Sequence, residues 1–383
     1  MYPLLKLPPL SLYVHVPWCV RKCPYCDFNS HQLTGDAPEL AYLDALLADL
    51  QQDLPQIQGR PLTSIFIGGG TPSLLSAHFY QALFTRLQAV LKLSPECEIT
   101  LEANPSSFEY ARFAAYRQLG INRLSLGVQS FAPEHLHILG RVHDRAQALA
   151  AIEQAQKAGF DRINVDLMHG LPQQTPQQAL ADLRIPLSFG IRHISWYQLT
   201  LEPNTHFYHQ PPRLPDEDTL ADIQEAGQAL LQECGLHQYE VSAFAYPGQE
   251  ARHNLNYWQF GDYLGIGAGA HSKCTYPDGH IVRRWKTRQP QAYLQHQADG
   301  RFCAGEQSIT TEERPFEFLM NALRLTQGVP SQYFAQRTGI PLSQIQPVLD
   351  QLAGQGLMRT DPEILATTPL GLRYLNQVLE HFL

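Results

Sequence analysis

Residues 15–31 read HVPWCVRKCPYCDFNSH, with Cys19, Cys23 and Cys26 in a C-x3-C-x2-C spacing. Disulfides consume cysteines in pairs and structural zinc sites usually take four ligands, so three thiols on one loop lack a partner. Thiolates bind zinc and iron alike. A zinc site would recruit His15 or His31 as fourth ligand; an iron–sulfur cubane held by three thiolates instead leaves one iron open to an exchangeable ligand. Trp18, Tyr25 and Phe28 fit an apolar shell around a redox centre, and equally fit ordinary core packing.

Immediately before this loop stands LSLYVHV, the first of several short runs rich in β-branched and aromatic residues: TSIFIGG, CEITLEA, RLSLGVQ, RINVDLM, HISWYQLTL and YEVSAFA. Between them ELAYLDALLADLQQDL, AHFYQALFTRLQAVLKL and RAQALAAIEQAQKAGF carry apolar residues at helical spacing. Strands alternating with helices predict an α/β protein with a parallel sheet, organised as a partial TIM-like (β/α) barrel. Nearly every strand runs into a distinctive loop: the cysteine loop, GGGTPS, EANPSS, GVQSF, MHGLPQQ and EPNT. In barrels of this kind the loops leaving the C-terminal strand ends converge on the active face, so these loops are expected to share one site.

Near residue 275 the rhythm changes to TYPDGH and a basic RRWKTR. The expected division is a barrel over 1–275, a connecting segment over 276–310 and a mainly helical, winged-helix-like domain over 311–383. The candidate recognition helix SQIQPVLDQLAGQ contains no Lys or Arg, which favours a structural or lid role over DNA binding.

The chain has 383 residues, a formal net charge of −8 and seven cysteines. The acidic balance argues against a broad nucleic-acid footprint and points to small-molecule chemistry. Cys97, Cys234, Cys274 and Cys303 are scattered, as in a protein of a reducing compartment. MYPLLKLPPLSLYVHVP has no apolar run of leader type, and no later stretch approaches a membrane span, so a cytoplasmic protein without transmembrane segments is expected.

The cysteine spacing together with GGGTP resembles the radical S-adenosylmethionine superfamily. With EANP, GVQSF, DLMHGLPQQT, SWYQLTLEPNT and HNLNYW, the whole chain resembles the haem chaperones of that superfamily, relatives of oxygen-independent coproporphyrinogen dehydrogenase. The resemblance implies a [4Fe-4S] cluster on Cys19, Cys23 and Cys26, its open iron taking the amino nitrogen and carboxylate oxygen of S-adenosylmethionine. It implies cosubstrate contacts from Tyr13, Tyr25, Gly69, Gly70, Thr71, Glu102, Gln129, Arg141 and Asp166. Glycines allow close backbone approach, carboxylates accept from hydroxyls or an ammonium, and an Arg forks onto a carboxylate.

The dehydrogenases continue their motif as C-x3-C-x2-C-x-C, where this chain has Phe28, and they carry a longer arm ahead of the first cysteine. Both differences weigh against oxidative decarboxylation of coproporphyrinogen III, which remains the alternative expectation; cleavage of S-adenosylmethionine stays open. HNLNYW resembles the chaperones' HNxxYW signature and makes His253, Tyr257 and Trp258 candidate haem contacts, on an aromatic loop. In RRWKTR, Arg283, Arg284, Lys286 and Arg288 surround Trp285, and some of them, Arg283 and Arg284 first, are candidate partners of the propionates; a solvated interdomain linker is the competing reading of that run. The expected partners are haem as cargo and an acceptor protein, respiratory and membrane-associated by family analogy.

Overall fold

Strand β1 (Leu10–Val16) is buried along its length except for the half-buried Tyr13, as expected of a strand flanked on both edges and covered on both faces. It pairs in parallel with β2 (Leu62–Gly69) on one side. From there β3 (Leu93–Ala103), β4 (Arg123–Gln129), β5 (Ile163–His169) and β6 (His193–Gln198) continue the parallel run. The computed structural model describes residues 5–383, and all of their side chains except those of 107 and 108. The first residues of the N-terminal stretch read for a leader, 1–4, lie outside the described residues.

Crossover helices α1 (Glu39–Asp53), α2 (Ala77–Val90), α3 (Phe113–Gln118), α4 (Arg145–Lys157) and α5 (Pro176–Ser188) join these strands, and α6 (Glu217–Glu233) follows β6. Local chemistry fixes their starts. Asp144 with Gln147, and Thr175 with Gln178, form reciprocal capping boxes that satisfy otherwise orphaned backbone N–H groups at α4 and α5. Val14, Ile65, Leu101, Leu124 and Val165 are among the fully buried residues of the core that the helices close over.

After α6 a hairpin of β7 (His237–Glu240) and β8 (Ala243–Ala245) adds antiparallel to β6. Helix α7 (Arg252–Trp258) then carries the chain back across the sheet, and β9 (Asp262–Ile266) pairs in parallel with the free edge of β1. The antiparallel strands β10 (His271–Thr275), β11 (Ile281–Lys286) and β12 (Cys303–Ser308) follow. The result is one twelve-stranded sheet in the order β12-β11-β10-β9-β1-β2-β3-β4-β5-β6-β8-β7, an α/β architecture as expected.

The segment 276–310 is therefore more than a connector, because β11 and β12 extend the main sheet. RRWKTR is also no solvated linker. Lys286 is 1 % exposed and donates to Asp49 Oδ1 at 2.5 Å and Asp53 Oδ2 at 2.7 Å, both on α1. A buried ammonium persists only when paired in this way; burial still holds the Asp49 carboxyl up at about 6 despite Lys286.

The C-terminal region is mainly helical, with α8 (Arg314–Ala322), α9 (Gln332–Thr338), α10 (Gln346–Gly354), α11 (Pro369–Arg373) and α12 (Leu375–Glu380). A two-residue strand pair, Val329–Pro330 with Ile364–Leu365, supplies the small wing. Its core of Phe318, Leu319, Phe334 and Leu352 also takes in Phe260 and Ile281, so this region packs on the sheet's antiparallel side.

Candidate functional site

Beyond β1, Trp18–Cys19 pairs with His31–Gln32 and closes residues 20–30 into a loop that carries Cys23 and Cys26. Trp18 anchors it, edge-on to Tyr42 with ring centroids 4.7 Å apart. The glycine run after β2 is stitched to the same loop: Gly70 N–H donates to Val16 O and Thr71 N–H to Trp18 O, each at 2.7 Å. A side chain at Gly70 would meet Trp18 O at 2.4 Å, and Gly69 has φ +119°. Close backbone approach is thus the physical reason for glycine at these positions.

Over this contact lies a cavity of about 230 Å³. Its walls bring together Cys19, Cys23, Cys26, Tyr25, Gly69, Gly70, Thr71, Glu102, Gln129, Arg141 and Asp166. These residues come from loops and strand ends spread over β1 to β5, the convergence expected at the C-terminal face. Tyr13 is the exception. It faces a neighbouring cavity.

Arg141 organises the polar wall. Its Nη1 donates to Cys23 Sγ at 3.6 Å, and its Nη2 to Asn104 Oδ1 at 2.6 Å and Gly127 O at 2.5 Å. Asn104 in turn donates from Nδ2 to Thr71 Oγ1 at 2.8 Å. Gln129, with φ +72°, accepts from the Tyr197 hydroxyl at 2.6 Å. Asn104, Ser125 and Tyr197 also line the site and were not singled out from sequence. Asn104 sits in the quoted EANP and Tyr197 in SWYQLT, so the motifs contained them without revealing their roles.

Burial, reinforced by the nearby Asp166 carboxylate, pushes the Glu102 carboxyl up to about 8, while Gly69 N–H donates to Glu102 Oε2 at 3.2 Å. Asp166 accepts from Ser125 Oγ and Asn164 Nδ2 at 2.8 Å each, yet burial leaves its carboxyl raised as well. Burial, then the adjacent Cys26 and Cys23, raises the Cys19 thiol to about 11. Two raised carboxyls and three crowded thiols form a site that gains from a cationic ligand and from metal replacing the thiol protons.

The donor set fits a cluster better than one metal ion. Among the described residues no group of three His, Cys, Asp or Glu side chains converges to hold a single ion. Cysteines of a cubane bind different irons and need no such convergence. His15 is engaged at both ring nitrogens, with Tyr13 Oη at 3.0 Å and Asn29 O at 2.8 Å, and His31 Nε2 lies 3.2 Å from Asn29 Oδ1. Arg141 Nε is buried without a hydrogen-bond partner among the described residues, while the residue itself lines the cavity.

Beside this cavity lies a second one of about 660 Å³, and Phe28, Gly69 and Glu102 border both. Phe28 is 63 % exposed and forms the rim between them. Of the expected haem contacts only Tyr257 lines the second cavity, near Tyr13 and 4.4 Å from the Tyr263 ring. The HNLNYW segment is the helix α7, not a loop. His253 is 2 % exposed behind the cavity wall, stacked on Phe66 at 5.1 Å with Nδ1 2.9 Å from Ser64 Oγ. Trp258 faces away, under the Arg324 guanidinium at 4.3 Å. Arg283 and Arg284 already hold carboxylates, Glu317 at 2.5 Å and Glu306 at 3.0 Å, so neither is a free propionate partner.

Residues 13–184 match the radical SAM superfamily and residues 309–374 the HemN C-terminal domain. The chain is 49 % identical to the heme chaperone HemW of Escherichia coli, over 99 % of this chain and 100 % of that protein. It is 35 % identical to the heme chaperone HemW of Bacillus subtilis, over 97 % and 99 %. A solved structure of coproporphyrinogen III oxidase (HemN) from Escherichia coli superposes with a TM-score of 0.83 at 23 % identity, over 100 % of this chain and 91 % of that one, a likeness of fold. Among the described residues no helix is long and apolar enough to cross a membrane.

Proposed function

We propose, on the premise that the chain belongs to the HemW haem chaperone family of the radical S-adenosylmethionine superfamily, that it binds haem and passes it to an acceptor protein. In this reading Cys19, Cys23 and Cys26 hold a [4Fe-4S] cluster with S-adenosylmethionine as its exchangeable ligand. The observation that carries it is the meeting of all three cysteines with Glu102, Arg141 and Asp166 around one cavity. When bound, the cluster supplies an open iron and an electron for the cosubstrate.

The chain's own residues then have distinct tasks. Gly69 and Gly70 leave room for the ligand's backbone-like amino-acid end, and Thr71 is held in place by Asn104. Arg141 sets a fixed positive charge beside Cys23 and, at the wall of the cavity, suits the ligand carboxylate. Glu102 and Asp166 suit the ligand's cationic groups or ribose hydroxyls. Haem enters through the adjoining aromatic cavity, with Tyr257 at its wall and His253 supporting Tyr257 from behind, ring centroids 4.8 Å apart. Seven free cysteines suit a reducing cytoplasm.

Anaerobic reconstitution with iron and sulfide, followed by haemin titration with and without S-adenosylmethionine, tests this reading. The expected result is about four irons per chain, lost in the Cys19, Cys23, Cys26→Ala triple variant, together with saturable haem binding. A wild type that binds no haem, or that turns over coproporphyrinogen III, contradicts it.

A further inference from the structure

The basic run and its neighbours hold one cation without an assigned partner. Arg283, Arg284 and Lys286 are each paired with carboxylates, whereas among the described residues no ion pair or hydrogen bond engages the Arg288 guanidinium. Arg288 borders the second cavity. So does His271, the first residue of β10, whose ring nitrogens have no hydrogen-bond partner among the described residues. His15, the other histidine at this cavity, is engaged at both nitrogens.

We propose that this cavity is the haem site, with the His271 imidazole as an axial iron ligand and the Arg288 guanidinium as partner of a propionate. The assignment rests on the haem reading above and names its residues. The volume of about 660 Å³ falls within the range of roughly 300–1,000 Å³ of small-molecule and cofactor sites. Its walls are rings suited to a flat macrocycle: Tyr13, Tyr257, Tyr263 and Trp285. Trp285 is the cross-strand neighbour of His271, 6.5 Å away and inclined by 30°, and restrains the imidazole from one side.

The site is also tied to the cysteine loop. Asn29 Nδ2 donates to Ala268 O and to Arg288 O at 2.9 Å each, so the loop carrying Cys26 helps fix the residue that would hold the propionate. A side chain at Gly269 would meet Asn29 Nδ2 at 2.3 Å, which keeps that approach open only to glycine. His253 is in this account a positioning residue behind Tyr257, not the ligand.

Haemin titration with absorption and electron paramagnetic resonance spectra of wild type, His271→Ala, His271→Met, Arg288→Ala and His253→Ala tests the assignment. The wild type is expected to show a histidine-ligated ferric spectrum. His271→Ala loses that signature and regains it with added imidazole, while His271→Met exchanges it for a different ligand field. Arg288→Ala weakens haemin binding about tenfold, the scale of one charge-assisted hydrogen bond, and leaves affinity for haemin dimethyl ester unchanged. His253→Ala lowers affinity and keeps the signature. If the wild type binds haemin and His271→Ala retains its spectrum and affinity, the assignment is wrong while the haem reading stands; a wild type that binds no haemin removes both.

Discussion

The two adjoining cavities are built on different principles. The cysteine cavity collects residues from consecutive strand-end loops of the parallel half, and polar contacts such as Arg141 to Asn104 to Thr71 preorganise it. The aromatic cavity is assembled where β9 joins β1 and the chain turns antiparallel, with rings contributed by β1, α7, β9, β10 and β11. A repeated βα topology places functional groups by local sequence, strand after strand. An antiparallel extension places them by pairing between segments, as His271 meets Trp285 across two strands.

The largest effect expected from breaking one region alone is on iron. Replacing Cys19, Cys23 and Cys26 by Ala removes the cluster, while the haemin spectrum of the aromatic cavity persists, because that cavity takes only Phe28 and Asn29 from the cysteine loop. Iron analysis beside a haemin titration checks this. Loss of both together would merge the two sites into one.

Next in size is the buried anchor of the antiparallel side. Lys286→Ala strands the Asp49 and Asp53 carboxylates inside the protein and is expected to cost about 3–5 kcal/mol in denaturant unfolding. Lys286→Met with Asp49→Asn recovers most of that loss. A cost below about 1 kcal/mol for the single variant would return RRWKTR to the status of a surface run.

Gly70→Ala forces a methyl against Trp18 O. It is expected to destabilise the protein by about 1–3 kcal/mol and to weaken S-adenosylmethionine binding, with haemin affinity unchanged. Calorimetry with each ligand separates the two cavities.

The smallest effect is a proton. Without ligand the Glu102 carboxyl, raised to about 8 by burial and Asp166, holds its proton at neutral pH. S-adenosylmethionine is cationic and favours the carboxylate, so its binding releases the proton. Affinity therefore rises with pH up to about 8 and levels off above it. Calorimetry in buffers of different ionisation enthalpy reads the release, and Glu102→Gln abolishes it; a pH-independent wild type contradicts the account.

This contrast also explains what could be read from sequence. Cys19, Cys23, Cys26, Gly69, Gly70, Thr71, Glu102, Gln129, Arg141 and Asp166 sit in short motifs at strand ends, and the parallel fold alone brings them together. Tyr13 carries the same kind of cue but lines the neighbouring cavity, which shares Gly69 and Glu102 with the cysteine cavity, and a motif does not reveal on which side of that wall a residue falls. His253 stood out because it lies in an aromatic string, yet helix α7 turns it into the core. Lys286 looked like surface charge because Asp49 and Asp53 lie far away along the chain, and a pairing of that range leaves no local trace. Arg288 stood in the quoted RRWKTR among the possible propionate partners, whereas His271 was not singled out, because its link to Trp285 is a pairing between strands.

The central claim is that cluster and haem occupy neighbouring cavities sharing Phe28, Gly69 and Glu102 as their wall. Anomalous scattering at the iron edge from crystals of the reconstituted, haem-loaded protein tests it directly. The account predicts a haem iron in the aromatic cavity within bonding reach of the His271 imidazole, and a separate group of irons at Cys19, Cys23 and Cys26. Stoichiometric haem binding with the haem iron in any other place would contradict it.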